Sequence, residues 1–153
     1  MSAITITPID RMKEPAKFRK KYVKFPLSIY RSKQYKNEPW AKAWVAPFIV
    51  DVMTRFDVKK NPKLHRCDIQ SFIAERDGKV VGRITAIISH AHLEEYNDNT
   101  GHFGYCDFID DKEVSKALFD TAAAWLKERG ITAMSGPFNF TINCELGDRK
   151  SVV

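Results

Sequence analysis

The stretch DIQSFIAERDGKVVGRITAIIS, Asp68 to Ser89, narrows the folds open to this chain more than any other. Two runs rich in β-branched and aromatic residues meet at Asp77-Gly78, a pair that supplies the positive φ a tight hairpin turn demands. Whatever the fold, it contains an antiparallel pair here. Gly82, inside the second run, marks a bulge, a close backbone approach or an ordinary packing position. HFGYCDFI, from His102, reads as a third strand of the same group.

The next segment, DDKEVSKALFDTAAAWLKERG, is the best helix in the chain. Val114, Ala117, Leu118, Thr121, Ala122, Trp125 and Leu126 recur at helical spacing and form one core-facing stripe. Asp110 with Glu113 gives a capping-box-like start, and Gly130 stands where a C-terminal cap belongs. Ile131–Met134 then reads as a short strand running into Gly136-Pro137. Upstream, Ile4–Thr7 is a short strand that stops at Pro8, and a helix runs from about Glu14 to Tyr22. FPLSIYR follows as a second apolar segment, Pro47–Phe56 as a helix, and KKNPKLH as a loop. The order is β, α, α, β, β, β, α, β. With 153 residues, 44% of them hydrophobic, the chain suits a single domain with a real core.

Charge is uneven. Between Arg11 and Lys36 ten basic residues face one acid, Glu14, while the whole chain carries only +6. That excess suits an acidic partner, an anionic membrane surface or an acidic acyl carrier protein. Nucleic acid is excluded as the favoured partner, because no zinc finger, aromatic RNA-binding motif or recognition-helix pattern accompanies the charge. Cys67, Cys106 and Cys144 are too far apart for a zinc site and odd in number, so they read as reduced thiols. No apolar run approaches the length of a bilayer span and no leader pattern opens the chain, so a cytoplasmic protein, peripheral at the inner membrane surface, is expected.

The element order resembles the first part of the acyltransferase fold named after the Gcn5-related N-acetyltransferases (GNAT). Within that superfamily, KFPLSIYR, KKNPKLH, FIAERDGKVVGRITAIIS, GHFGYCDFIDDKEVSKALFDTAAAWLKERG and GPFNFTINCELG resemble the bacterial ceramide synthase-like family. They cover most of the chain from Lys24 to Gly147. RDGKVVGRI alone is shared by many acyltransferase hairpins, whereas FGYCDFIDD followed at helical distance by GPFNFTINCE is far more specific. The resemblance implies an α+β fold with a mixed central sheet and flanking helices, in which the fourth and fifth strands splay to admit a thioester arm. It also implies an acyl-CoA or acyl carrier protein thioester as donor and a lipid-like amine, such as a long-chain sphingoid base, as acceptor.

Members of the family look well over twice this length. Residues 1–147 are therefore expected to be an incomplete N-terminal GNAT-like domain, without its closing C-terminal strands and inactive alone. Residues 148–153, DRKSVV, are what the start of a widely used sequencing adapter encodes, and are expected to be a non-native tail.

An N-acyltransferase needs a group that polarises the thioester carbonyl and a route for the amine's proton. Asp107 lies on the strand where related enzymes place a catalytic carboxylate, and alternation puts Tyr105 on its face as a substrate-binding candidate. His90 and His92 share a face if their strand continues that far, which makes His92 a candidate proton carrier. No third ligand accompanies them, so no metal is expected. In NFTINCE, Asn139, Asn143 and Glu145 alternate onto one side: Glu145 as a catalytic candidate and the two asparagines as substrate binders, unless they cap local turns. Asp110, Asp111 and Glu113 stand where the superfamily usually cradles a pyrophosphate, and carboxylates there repel it. Two other readings follow: a degenerate GNAT-like scaffold without activity, and an N-acetyltransferase for a small amine.

Overall fold

The computed structural model describes residues 2–140 and the main chain of 146–152. Six strands form one sheet in sequence order: β1 (Thr5–Ile9), β2 (Cys67–Arg76), β3 (Lys79–Ser89), β4 (Thr100–Phe108), β5 (Ala133–Phe138) and β6 (Leu146–Val152). Neighbours are antiparallel except β4 and β5. The sheet is therefore mixed, and with helices on both faces the fold is α+β.

The hairpin turn falls at Asp77 and Gly78, whose φ angles of 53° and 74° are those the two-residue turn requires. β1 runs through Pro8 to Ile9, further than expected. It is an edge strand paired only with β2, and an edge leaves room for a residue that lacks an N–H. Gly82 meets two of its three sequence readings, the bulge and the packing position. Register shifts between Ala74 and Glu75 opposite it, and a Cβ at Gly82 would lie 2.6 Å from a Leu118 methyl.

Helix α6 (Lys112–Lys127) covers one face of the sheet. Val114, Leu118, Ala122 and Leu126 are fully buried against Ile84, Ala86, Phe103 and Met134, so the inferred stripe is its core face. Its cap is Asp111, one residue later than expected: Asp111 has extended backbone and its Oδ1 accepts the Glu113 N–H at 2.9 Å. Gly130, at φ 80°, ends the helix as its composition implies.

The other face is covered by short helical pieces: α1 (Pro15–Lys17), continuing into a wider π-type turn (Phe18–Val23), α2 (Phe25–Tyr30), α3 (Pro39–Ala43) and α4 (Ile49–Arg55). Pro15, Pro26 and Pro39 each stand in a first turn, where the missing N–H costs nothing. Phe18, Tyr22 and Phe56 stack together and seal Ile73, Ile87 and Tyr105 beneath them. KKNPKLH is not wholly a loop, since Pro62–Arg66 forms a short 3-10 helix capped by Asn61.

One expectation about the candidate site is corrected. His90 and His92 do not continue β3: Ser89 accepts the His92 N–H through its hydroxyl and starts helix α5 (His90–Tyr96). After β5, β6 lies antiparallel along β5. An open edge pairs through main-chain groups, whatever side chains the added strand carries.

Candidate active site

β4 and β5 pair at only three positions, Thr100 with Ala133, Gly101 with Met134 and His102 with Ser135. Beyond His102 the ladder ends, although the two main chains stay close, Phe103 against Gly136 and Gly104 against Phe138. On its other side β4 carries a bulge: Arg83 pairs with Asp107 and Thr85 with Gly104, so Tyr105 and Cys106 together oppose Ile84. Tyr105 takes φ 48°, outside the strand region. A bulge re-aims side chains and frees main-chain groups from the ladder. Here it brings Tyr105, Cys106 and Asp107 into the lining of one cavity of about 330 Å³, rather than alternating them.

The cavity has apolar walls and a charged floor. Val23, Pro26, Trp44, Val45, Pro47 and Val52 come from the helical layer, and Pro137 from β5. Arg83, Asp107, Arg55 and Asn139 supply the polar groups. Arg83 is the residue that sequence reasoning missed. Its Nε and Nη2 donate to Asp107 Oδ2 at 3.0 and 2.8 Å, and its Nη1 donates to the Tyr22 carbonyl at 3.0 Å. The guanidinium also lies over the rings of Tyr22 and Tyr105. Such a planar fork fixes a carboxylate in one orientation.

Asp107 Oδ1 has the Tyr30 hydroxyl at 3.4 Å. Burial and then the Asp107 charge push the Tyr30 hydroxyl above its ordinary range, so it keeps its proton and donates. Behind the floor, Tyr22, Thr85 and Ser71 form a buried hydroxyl chain, in which Ser71 and Thr85 are 2.7 Å apart. Burial likewise raises the Tyr22 hydroxyl.

Burial, and secondarily the Asp107 charge, pushes the Cys106 thiol up to about 12. It follows that native Cys106 is alkylated by iodoacetamide at pH 8 roughly a hundredfold or more slower than in the unfolded chain, since only the thiolate reacts. Mass spectrometry of the labelled protein measures this. Equal rates would show that the bulge does not shield the thiol.

Asn139 lines the cavity and also reaches across to β4. Its Oδ1 accepts the Tyr105 N–H at 3.1 Å, capping the donor that the bulge frees. Asn143 and Glu145 lie outside the described residues. His92 does not join Asp107. It hydrogen-bonds Asp98 at 3.1 Å and meets the His102 ring edge-on, and roughly 16 Å of strand separates His102 from Asp107. His90 pairs with Asp68. His102 and Ser135, joined at 3.1 Å where the ladder ends, form a second pair that the sequence did not disclose. Among the described residues no three His, Cys, Asp or Glu side chains are grouped as a metal would require.

The start of α6 does not fit a pyrophosphate. Asp111 already fills the helix N-terminus, and Arg76 pairs with Asp111 at 2.7 Å and Glu113 at 3.3 Å rather than facing a ligand. That pairing and the Glu113 N–H hold the Asp111 carboxyl below its ordinary range. Likewise, Gly104 packs so closely on Phe138 that the strand opening beside the bulge is partly filled by the chain's own main chain.

A mixed sheet whose bulged fourth strand pairs with the fifth, in parallel, at only three positions has the GNAT acyltransferase fold. A GNAT-family acetyltransferase from Staphylococcus aureus Mu50 superposes with a TM-score of 0.52 over 90% of this chain and 74% of its own, at 17% identity. No protein-family model matches the chain. Protein YghO of Escherichia coli K12 is 40% identical over 128 residues, which are 84% of this chain and 30% of that protein. Bacterial ceramide synthase of Caulobacter vibrioides is 37% identical over 105 residues, 68% of this chain and 27% of that protein. The chain belongs to this ceramide synthase-like family of the GNAT superfamily. It spans less than a third of the length of these two relatives.

Proposed function

We propose that this domain is the acceptor-binding part of an N-acyltransferase that moves a fatty acyl group from acyl-CoA to a long-chain amine of the sphingoid type. The observation that carries the reading is the Arg83-held Asp107 on the floor of an otherwise apolar-walled cavity. The similarity to a bacterial ceramide synthase supports the choice of amine.

Asp107, the one carboxylate among the described lining residues, already has its charge met by the Arg83 fork, so it holds an ammonium ion weakly. The amine therefore binds as the free base, the form that attacks a carbonyl. Asp107 Oδ1 accepts its N–H and aims the lone pair, while the apolar walls take the alkyl chain. Attack forms the amide bond and breaks the thioester C–S bond, and the coenzyme A thiolate leaves and takes up the proton that the amine loses; the donor's pyrophosphate is not assigned to α6.

The test is acyl transfer by a protein of the relatives' length that carries this domain. Asp107→Asn keeps one acceptor for Arg83 but loses the charge, and is expected to cut turnover by about a hundredfold. A second reading, the scaffold domain, is favoured by the Asn139 cap and the acidic α6 start. Unchanged turnover in Asp107→Asn would establish it.

A further inference from the structure

Of the seven large hydrophobes exposed among the described residues, four lie on one segment, while Met12, Val58 and Tyr96 lie elsewhere. Val45, Phe48 and Val50 are 84%, 79% and 70% exposed, and Trp40 is 49% exposed, all on the segment from α3 to the start of α4. Behind these tips lies a cluster of amphipathic rings. Tyr30 stacks on Trp44 at 4.5 Å and meets Trp40 edge-on, and Tyr35 leans on Trp40 at 5.4 Å. Around them Arg31, Lys33, Lys36 and Lys42 are exposed, with Glu38 the one acid between residues 31 and 42.

Bare aliphatic and phenyl tips seek hydrocarbon, Trp and Tyr rings settle at headgroup depth, and Lys and Arg seek anionic headgroups. An acidic protein would satisfy the cations but not the tips, and an apolar protein face the tips but not the cations. We propose that this segment docks on an anionic bilayer surface without crossing it. No described helix is long and apolar enough to span a membrane. Trp44, Val45 and Pro47 belong both to this segment and to the cavity wall, so docking turns the cavity mouth toward lipid. That consequence rests on the long-chain amine reading, whereas the docking itself does not.

The experiment is flotation of the chain with phosphatidylcholine vesicles containing about a third phosphatidylglycerol. Binding is expected, weakened at least tenfold in neutral vesicles and by high salt. Two exposed double variants, Phe48→Glu/Val50→Glu and Lys33→Glu/Lys36→Glu, are each expected to lose at least tenfold while keeping the wild-type melting temperature. Binding that is absent, equal on neutral vesicles, or unchanged in Phe48→Glu/Val50→Glu overturns the proposal. So does protection of Phe48→Cys from maleimide, without vesicles, in a protein of the relatives' length, because the patch would then be covered by polypeptide. Binding of a soluble short-chain amine, unaffected by either variant, keeps this test separate from that of the cavity.

Discussion

Replacing Arg83 with methionine costs the chain about 3–5 kcal/mol of stability in urea denaturation, the range for breaking one side of a buried ion pair. The side chain is 8% exposed and holds Asp107 twice, the Tyr22 carbonyl once, and two aromatic faces. Methionine approximates its length but leaves Asp107 without the fork and the Tyr22 carbonyl without that donor. Much of the loss is the cost of a carboxylate left in a poorly solvated place, not the worth of the pair. The double variant Arg83→Met/Asp107→Leu should therefore recover part of the stability lost in the single one. A single-variant loss under about 1 kcal/mol would mean that water reaches Asp107 freely and that the pair behaves as a surface one.

Gly104→Ala is the second large effect. A Cβ there would lie 1.8 Å from the Phe138 carbonyl oxygen and 2.7 Å from its carbon. The obstacle is main chain, so it cannot turn aside as a side chain would. Either β4 or the end of β5 must move, with a loss of about 3 kcal/mol expected on thermal or urea unfolding. The move would also separate Asn139 from the Tyr105 N–H that it caps. Gly82→Ala serves as the control. Its close neighbour is a Leu118 methyl at 2.6 Å, the end of a flexible side chain, so its cost should be smaller. Equal losses in the two variants would contradict the close approach of the two strands past the end of the ladder.

Much of the frame was legible in the sequence because local physics dictates it. Asp77-Gly78 allows one kind of turn, and the apolar stripe of α6 allows one buried face. The α1–α4 layer was less legible. Its pieces are short, started by prolines, and held by aromatic contacts between residues far apart in sequence, which no periodicity reveals. His90 and His92 were misplaced because Ser89, read as the strand's last residue, also caps a helix.

The site was half legible. Asp107 and Tyr105, candidates read from their strand, both line the cavity, but the bulge that brings Cys106 beside them is a register property of two strands together. Arg83 had a signal that was passed over. The run from Val81 to Ser89 is buried throughout, so both faces of β3 are covered, and an arginine within such a run must have a partner inside. Asn139 was noted, yet its role as a cap depends on a contact across to β4 that its own neighbours do not predict.

The most direct test of the central claim is calorimetric titration of the chain with a soluble primary alkylamine across the pH range below the amine's own pKa. The account predicts that affinity rises about tenfold per pH unit, because the free base is the bound form. It further predicts that Asp107→Asn weakens binding at least tenfold, and that the alcohol of the same chain length binds with little pH dependence. An affinity that is flat with pH, or equal in wild type and Asp107→Asn, would contradict the assignment of Asp107 as the group that receives the acceptor amine.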